Sequence, residues 1–171
     1  MRGLFVGRFQ PFHKGHMHAI NWILKQCDEL IIAIGSTQHS YEVENLFTAG
    51  ERTEMIHQTL KASGIADRCI IIPVPDVNNH ALWVSHLNSL VPKYGIVFSN
   101  NPVVKMLFSD VAVKVKDVPL FERDKYDGTK IRRRMFTKGD WKTLVPREVS
   151  GLIDKIKGIE RLEKISKGDK L

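Results

Sequence analysis

The ten residues Gly7-Arg8-Phe9-Gln10-Pro11-Phe12-His13-Lys14-Gly15-His16 concentrate more reactive side chains than any other stretch of the chain. Histidines three apart at the start of a helix share one side of its first turn, so both can face one bound group. Imidazole donates hydrogen bonds whether neutral or cationic. With Arg8 beside them, the pair suits a phosphate that gains negative charge as it reacts. His-x-x-His is also a zinc-ligand spacing, but a structural zinc site needs further cysteines or histidines at ligand spacing, and none lie close in sequence. No protein-held metal is therefore expected. Gly7 is expected to let the backbone approach a ligand, and Gly15 to leave room for the two histidines.

The elements that must position these residues are legible on either side. Leu4-Phe5-Val6 reads as a short strand, and Met17 to Leu24 has the apolar spacing of an amphipathic helix. The decapeptide thus spans a strand-to-helix turn, where open α/β sheets bind ligands. Free N–H groups and the helix dipole there favour an anion. Further strands are expected at Glu29–Gly35, Cys69–Val74, Ile96–Phe98 and Val111–Val115, the last alternating poorly and placed at an edge. Thr48 and Glu51 form a capping box for a helix presenting Met55, Ile56, Thr59 and Leu60 on one face and ending near Gly64. Arg52 is expected to hold that helix in place through an ion pair. Helices are also predicted from Ala81, over Val103–Phe108, and from Pro146 (at N1) to Gly158, with Ile159–Ile165 adding a turn or two. Strands alternating with helices predict an α/β fold, a doubly wound parallel sheet in one domain over residues 1–166, with 167–171 as a flexible tail.

Bulk properties narrow the class. A chain of 171 residues is long enough for one domain with a proper core. The net charge of +7 favours acidic partners, nucleotides or nucleic acid, without choosing between them. Two cysteines, Cys27 and Cys69, argue against a disulfide framework and fit a reducing compartment. The chain opens directly into a strand and has no membrane-length apolar run, so a cytoplasmic location is expected.

A second constellation is Tyr126-Asp127-Gly128-Thr129-Lys130-Ile131-Arg132-Arg133-Arg134. Gly128 and Thr129 read as a turn and helix start with Thr129 as N-cap, placing Arg132 one turn in. Consecutive arginines are spread about 100° apart around a helix, so one or two can contact phosphate while the others are solvated. An ordinary basic face or an RNA-binding surface are the competing readings. Two more groups fall at predicted strand ends: Gly35-Ser36 and Ser99-Asn100. Between them, Asn79 and His80 precede Trp83, which reads either as core packing or as a flat face for stacking a ring, more favourably a cationic one.

The decapeptide resembles the first signature of the nucleotidylyltransferase superfamily, which shares His-x-Gly-His with class I aminoacyl-tRNA synthetases. Its full ten-residue form is similar to that of the archaeal nicotinamide-nucleotide adenylyltransferases, and Phe47–Arg52 also resembles a segment of that family. Thr129 and Arg132 match the superfamily's second signature, Ser-x-Thr-x-x-Arg, which grips the β and γ phosphates of ATP. Asp127 stands where the serine belongs and is expected to cap the helix or meet an arginine. The resemblance covers the chain up to the tail. It implies a Rossmann-like core, often homo-oligomeric (hexameric in archaeal relatives), that transfers AMP from ATP to nicotinamide mononucleotide, giving NAD and pyrophosphate, with magnesium carried by ATP and no membrane or nucleic-acid partner.

The resemblance also implies a site map. Gly7, Arg8, Phe9, Gln10, His13, His16, Ser99, Asn100, Thr129 and Arg132 would bind ATP, with Arg8, His13, His16 and Arg132 carrying catalysis. Trp83 matches the tryptophan that stacks on nicotinamide, and Asn79, His80 and Phe121 are expected to bind the mononucleotide with it, as are Gly35 and Ser36 by their position at a strand end. The chain departs from the family pattern at His80, commonly Asn, and at Asn100, usually Gly. The first departure leaves nicotinamide against nicotinate mononucleotide open. Trp83 and the long first motif disfavour phosphopantetheine or a flavin precursor as acceptor. Retention of both phosphate motifs disfavours a non-catalytic nucleotide- or RNA-binding module.

Overall fold

Short apolar strands each followed by a helical crossover must pair in parallel, because the crossover returns the chain to the same end of the sheet. In the computed structural model, which describes residues 1–168, β1 (Arg2–Gly7), β2 (Glu29–Ile34), β3 (Cys69–Pro73), β4 (Ile96–Phe98) and β5 (Lys114–Lys116) form one parallel sheet in the order β3-β2-β1-β4-β5. β1 is central, pairing Gly3 with Leu30 on one side and with Ile96 on the other. The winding reverses between β1 and β4, and the crevice outside the strand ends at such a reversal is the ligand-binding position of open α/β sheets.

The helices are α1 (Lys14–Ile23), α2 (Ala49–Ala62), α3 (Trp83–Leu90), α4 (Pro102–Ser109), α5 (Gly128–Phe136), α6 (Arg147–Lys155) and α7 (Gly158–Gly168). β2 shows why both faces of the sheet are covered. Leu30, Ile32 and Ile34 point into a core shared with α1, α2, α5, α6 and α7, whereas Ile31 and Ala33 point into a second core shared with α3 and α4. The continuous apolar run of that strand follows from this two-sided burial. No described helix is long and apolar enough to cross a membrane.

Several local expectations are corrected. The N-cap of α5 is Asp127, whose carboxylate accepts the Lys130 N–H at 2.9 Å; Thr129 sits inside the first turn. A carboxylate at this position also favours the positive end of the helix dipole. Pro146 is the N-cap of α6 and not its first residue. The segment after Lys157 is a separate helix, α7, which runs through Gly168 and so two residues into the expected tail; residues 169–171 lie outside the described part. β5 is a sheet edge as expected but is shifted to Lys114–Lys116.

Arg52 makes no ion pair among the described residues. Its fully buried guanidinium donates to four backbone carbonyls instead: Arg8 and Gly35 at 2.8 Å, Ser36 at 3.1 Å and, through Nε, Thr48 at 3.3 Å. The group therefore ties the C-terminal ends of β1 and β2 to the start of α2. Two of the turns it holds are strained, since Phe9 (φ 53°) and Ser36 (φ 52°) occupy the left-handed region without being glycine. Burial lowers the Arg52 pKa to about 10, helped by the nearby Arg8, and the side chain stays charged at neutral pH. Replacing Arg52 with Met would strand these carbonyls in the core. Urea unfolding of Arg52→Met is expected to show a loss of about 3 kcal/mol or more; a loss under about 1 kcal/mol would mean that water satisfies them equally well.

Candidate functional site

Two cavities open side by side where the winding reverses. The larger, of about 660 Å³, is lined by the ends of β1 and β2 (Gly7, Arg8, Gly35, Ser36), by the loop after β3 (Asp76, Asn78, His80) and by Trp83. The smaller, of about 240 Å³, is lined by His13, Gly15 and His16 of the α1 start and by Phe121, Arg123 and Tyr126 of the loop before α5. Val6, Ser99 and Asn101 line both. The chambers thus meet at the C-terminal edge of β1 and β4.

The histidines are more constrained than their spacing alone requires. Their rings stack with centroids 3.5 Å apart and 20° between planes. The His13 N–H donates to Nδ1 of His16 at 3.1 Å, so a neutral His16 carries its proton on Nε2. Phe9 meets His16 edge-on and Phe12 stacks against it, so apolar rings surround the imidazole. Burial lowers the His13 pKa to about 4 despite the opposing charge of Asp127, and burial together with the His13 ring holds His16 well below its ordinary value. Both are neutral donors at neutral pH. The His13 Nδ1 is buried without a hydrogen-bond partner, and uncompensated groups of this kind collect at functional sites.

Glycine at position 15 is required by this packing: a Cβ there would lie 2.8 Å from Tyr126 Cβ and 3.1 Å from the His13 ring. Gly7 is constrained by packing as well. A Cβ there would meet the Phe9 ring at 2.7 Å, so the glycine admits that aromatic side chain, although the residue does line the larger chamber.

Three guanidiniums lie close enough to feel one another's charge, but only Arg8 lines a chamber; Arg52, Arg132 and Thr129 line neither. Arg132 is buried and donates to the Gln10 carbonyl at 2.7 Å and to Thr129 Oγ1 at 3.3 Å. Burial lowers its pKa, and the field of Arg8 adds to the effect. Arg8 presses on Arg52 in the same way. Among the described residues, none of these three guanidiniums belongs to a salt bridge; the fields of Asp76 on Arg52 and of Glu44 and Asp127 on Arg132 offset only part of the loss that burial and Arg8 cause. Arg133 and Arg134 face solvent.

The residues anticipated from sequence divide unevenly. His13, His16 and Ser99 line the smaller chamber, and Asn100 does so while its side-chain amide exchanges two hydrogen bonds with the Val118 backbone (2.7 and 2.9 Å). Gly35, Ser36, His80 and Trp83 gather in the larger one together with Gly7 and Arg8, which the expected map placed with ATP. Phe121, expected beside the mononucleotide, lines the smaller chamber and stacks on His18 at 3.6 Å. Asn79 spends its side chain accepting the Ala81 N–H. Phe9 is buried, and the Gln10 amide is committed to both backbone groups of Phe47 (2.8 and 2.9 Å), so these side chains build the loop and do not line a chamber. Sequence reasoning missed Asp76, Asn101 and Tyr126. Asp76, whose carboxylate accepts the Ser36 N–H at 3.2 Å, sat in a hydrogen-bonding loop after a strand, and that position was the available signal. Among the described residues, no three His, Cys, Asp or Glu side chains gather as a metal-binding group.

Comparison with known proteins bears on what the chambers hold. Residues 4–134 match the model of the cytidylyltransferase-like family. A nicotinamide-nucleotide adenylyltransferase of Methanothrix thermoacetophila is 47% identical over 98% of this chain and 98% of its own length. One from Pyrococcus horikoshii is 46% identical over 97% of this chain and 89% of its own. In structure, a bifunctional NMN adenylyltransferase/ADP ribose pyrophosphatase of Francisella tularensis, complexed with AMP and a manganese ion, superposes with a TM-score of 0.81 at 24% identity. That match covers 94% of this chain and 51% of the other, and shows the shared fold.

The buried histidines have a consequence for stability. An unfolded histidine titrates near 6.5 and folded His13 only near about 4, so between those values the unfolded chain binds more protons. Stability is then complete above pH 6.5 and falls as the pH drops toward 4, by up to about 3 kcal/mol for His13 alone. Urea midpoints of the ligand-free protein across this window are expected to decline with pH, and His13→Gln to flatten the decline; an unchanged slope in the variant would place the sensitivity elsewhere.

Proposed function

The chain belongs to the cytidylyltransferase-like family and, within it, to the nicotinamide-nucleotide adenylyltransferases, and from that premise we propose how its chambers divide the work. The enzyme transfers AMP from ATP to nicotinamide mononucleotide, forming NAD and pyrophosphate. The observation that carries the division of labour is the wall of Val6, Ser99 and Asn101 shared by the two cavities. A phosphate held on each side of that wall is within reach of the other.

In this reading the reacting end of ATP lies at the histidine chamber and the mononucleotide lies beside Trp83. A phosphate oxygen of the mononucleotide bonds to the α-phosphorus of ATP while the bond from that phosphorus to pyrophosphate breaks. The attacking phosphate is mostly ionised at neutral pH, its second pKa being about 6, so no general base is needed. Catalysis comes from holding two anions in line and stabilising charge as it moves to the leaving group. His16 offers Nε2–H toward the α-phosphate and His13 assists. Arg132, oriented by Thr129 and the Gln10 carbonyl, takes the β/γ end, and Arg8 acts from the larger chamber. Magnesium enters as part of MgATP, held by triphosphate oxygens with few protein ligands; Asp127, the carboxylate whose field reaches both His13 and Arg132, is engaged in the α5 cap. The Trp83 ring meets Phe108 at 89°, which fixes the plane of the indole beside the chamber for stacking on a cationic pyridinium.

The test is pyrophosphate release from MgATP with nicotinamide and nicotinate mononucleotides side by side. Release with the amide is expected, and the ratio of the two kcat/KM values reads the preference that His80 imposes; folded protein that releases none with either would overturn the proposal. His16→Ala is expected to lower kcat by about 100-fold or more with smaller changes in KM, and near-normal turnover would remove His16 from the mechanism. Trp83→Ala should raise KM for the mononucleotide by about 5-fold while sparing that for ATP. Equal effects on both would make Trp83 a packing residue.

A further inference from the structure

α7 contributes no residue to either chamber, yet an unbroken chain of hydrogen bonds runs from it to the walls of the larger one. Arg161, in the first turn of α7, reaches across to the first turn of α2. Its Nη1 and Nη2 donate to the two carboxylate oxygens of Glu51, each at 2.7 Å, and Nη1 also reaches the Leu46 carbonyl at 3.3 Å. The Tyr41 ring covers the guanidinium at 4.6 Å. Both ends of this bidentate pair are largely withdrawn from solvent, with side chains 15% and 18% exposed. Such forked pairs fix direction as well as distance.

Glu51 does two things at once. The oxygen that takes Arg161 Nη1 also accepts the Thr48 N–H at 3.0 Å, closing the capping box, while Thr48 Oγ1 accepts the Glu51 N–H at 3.1 Å. The next residue is Arg52, which grips the Arg8, Gly35 and Ser36 carbonyls. From the other side, Gln10 grips Phe47. The start of α2 is therefore held between the signature loop and α7. The turns at Phe9 and Ser36 are in the left-handed region, a conformation that persists only while its surroundings over-determine it.

We propose that Arg161 is a positioning residue for adenylyl transfer: by clamping Glu51 it fixes the start of α2, and through Arg52 it sets where Arg8 and Ser36 stand in the mononucleotide chamber. The proposal rests on the functional reading above. Burial works against the Glu51 carboxylate, but the Arg161 hydrogen bonds and the Thr48 N–H outweigh it and hold its pKa below the usual range, while Arg161 is held above its own, so the pair stays ionised at neutral pH. A displacement of one ångström at a reacting centre can cost about 100-fold in rate, so a remote clamp of this kind is visible in kinetics.

The experiment compares Arg161→Ala, Arg161→Lys and Glu51→Gln with the full-length parent at 25 °C, each shown to be folded by circular dichroism. Glu51→Gln keeps an oxygen for the Thr48 N–H and so preserves the cap while losing the charge pair. Arg161→Ala is expected to lower kcat/KM for the mononucleotide by about 10-fold, with KM for ATP within about 2-fold of the parent. Arg161→Lys recovers only part of the loss, because one ammonium cannot reproduce the fork. The double variant Arg161→Ala/Glu51→Gln is no worse than Arg161→Ala alone.

A second readout needs no activity. Amide hydrogen exchange at Gly35, whose N–H bonds to the Gly7 carbonyl, and at Ser36, bonded to Asp76, is expected to accelerate about 10-fold in ligand-free Arg161→Ala. Faster exchange confined to α7, with unchanged kinetics, would overturn the proposal and make the pair a docking contact only. If Arg161→Ala fails to fold, Glu51→Gln decides by the same two readouts. A parent that makes no NAD would sink the functional reading, and the exchange result then still decides whether Arg161 controls the turns.

Discussion

A guanidinium with no counter-ion, buried at the meeting point of two strand ends and a helix start, is the interaction on which this molecule's site depends. Arg52 survives in the interior because carbonyl dipoles replace the water it gave up. The C-terminal edge of a parallel sheet supplies such carbonyls where the strands run out of partners. In satisfying them, Arg52 turns two strained loops into fixed walls. Its charge also meets that of Arg8, while the field of Asp76 opposes part of the effect. The same bonds that hold the backbone thus keep a positive charge beside the ends of β1 and β2.

The histidines and arginines meet the needs of phosphate chemistry by different physical routes. Stacking and apolar neighbours keep both imidazoles neutral, and the His13 N–H on Nδ1 of His16 selects one tautomer. A neutral ring with a defined N–H is a directional donor whose proton count does not vary near pH 7. The arginines supply charge that does not titrate in that range. In the proposed reaction, separating direction from charge stabilises developing negative charge without a group that must gain or lose a proton in the step.

The reversal of winding also explains the two chambers. β1 is flanked by β2 and β4, and the loops after these strands diverge to opposite sides of the crevice. A chamber forms on each side, and the residues following β4, Ser99 and Asn101, belong to both. The larger space has an aromatic wall at Trp83, and the smaller is floored by the start of α1. In the proposed reaction the two nucleotides use these two pockets and their common edge.

Local chemistry in the chain determined more than its length suggests. Alternation of apolar runs with helical periodicity was enough for the parallel sheet, and a strand-to-helix turn bearing Arg8, His13 and His16 was enough to point to the cavities at the end of β1, because ligands of open α/β sheets bind at such turns. The capping box of Thr48 and Glu51 was legible for the same reason: its bonds close within four residues. What pattern could not decide were the bonds between segments far apart in sequence. Arg52 looked like half of an ion pair, and only the fold brought the carbonyls of residues 8, 35 and 36 around it. Gln10 and Phe9 looked like ligand contacts, and only packing turned them inward. Phe121 and Trp83 looked like partners, and only the topology put them in different chambers. Side-chain type states what a group is able to do, but the tertiary structure decides which of its possible partners arrives, because desolvation and distance act between segments that the sequence does not place together.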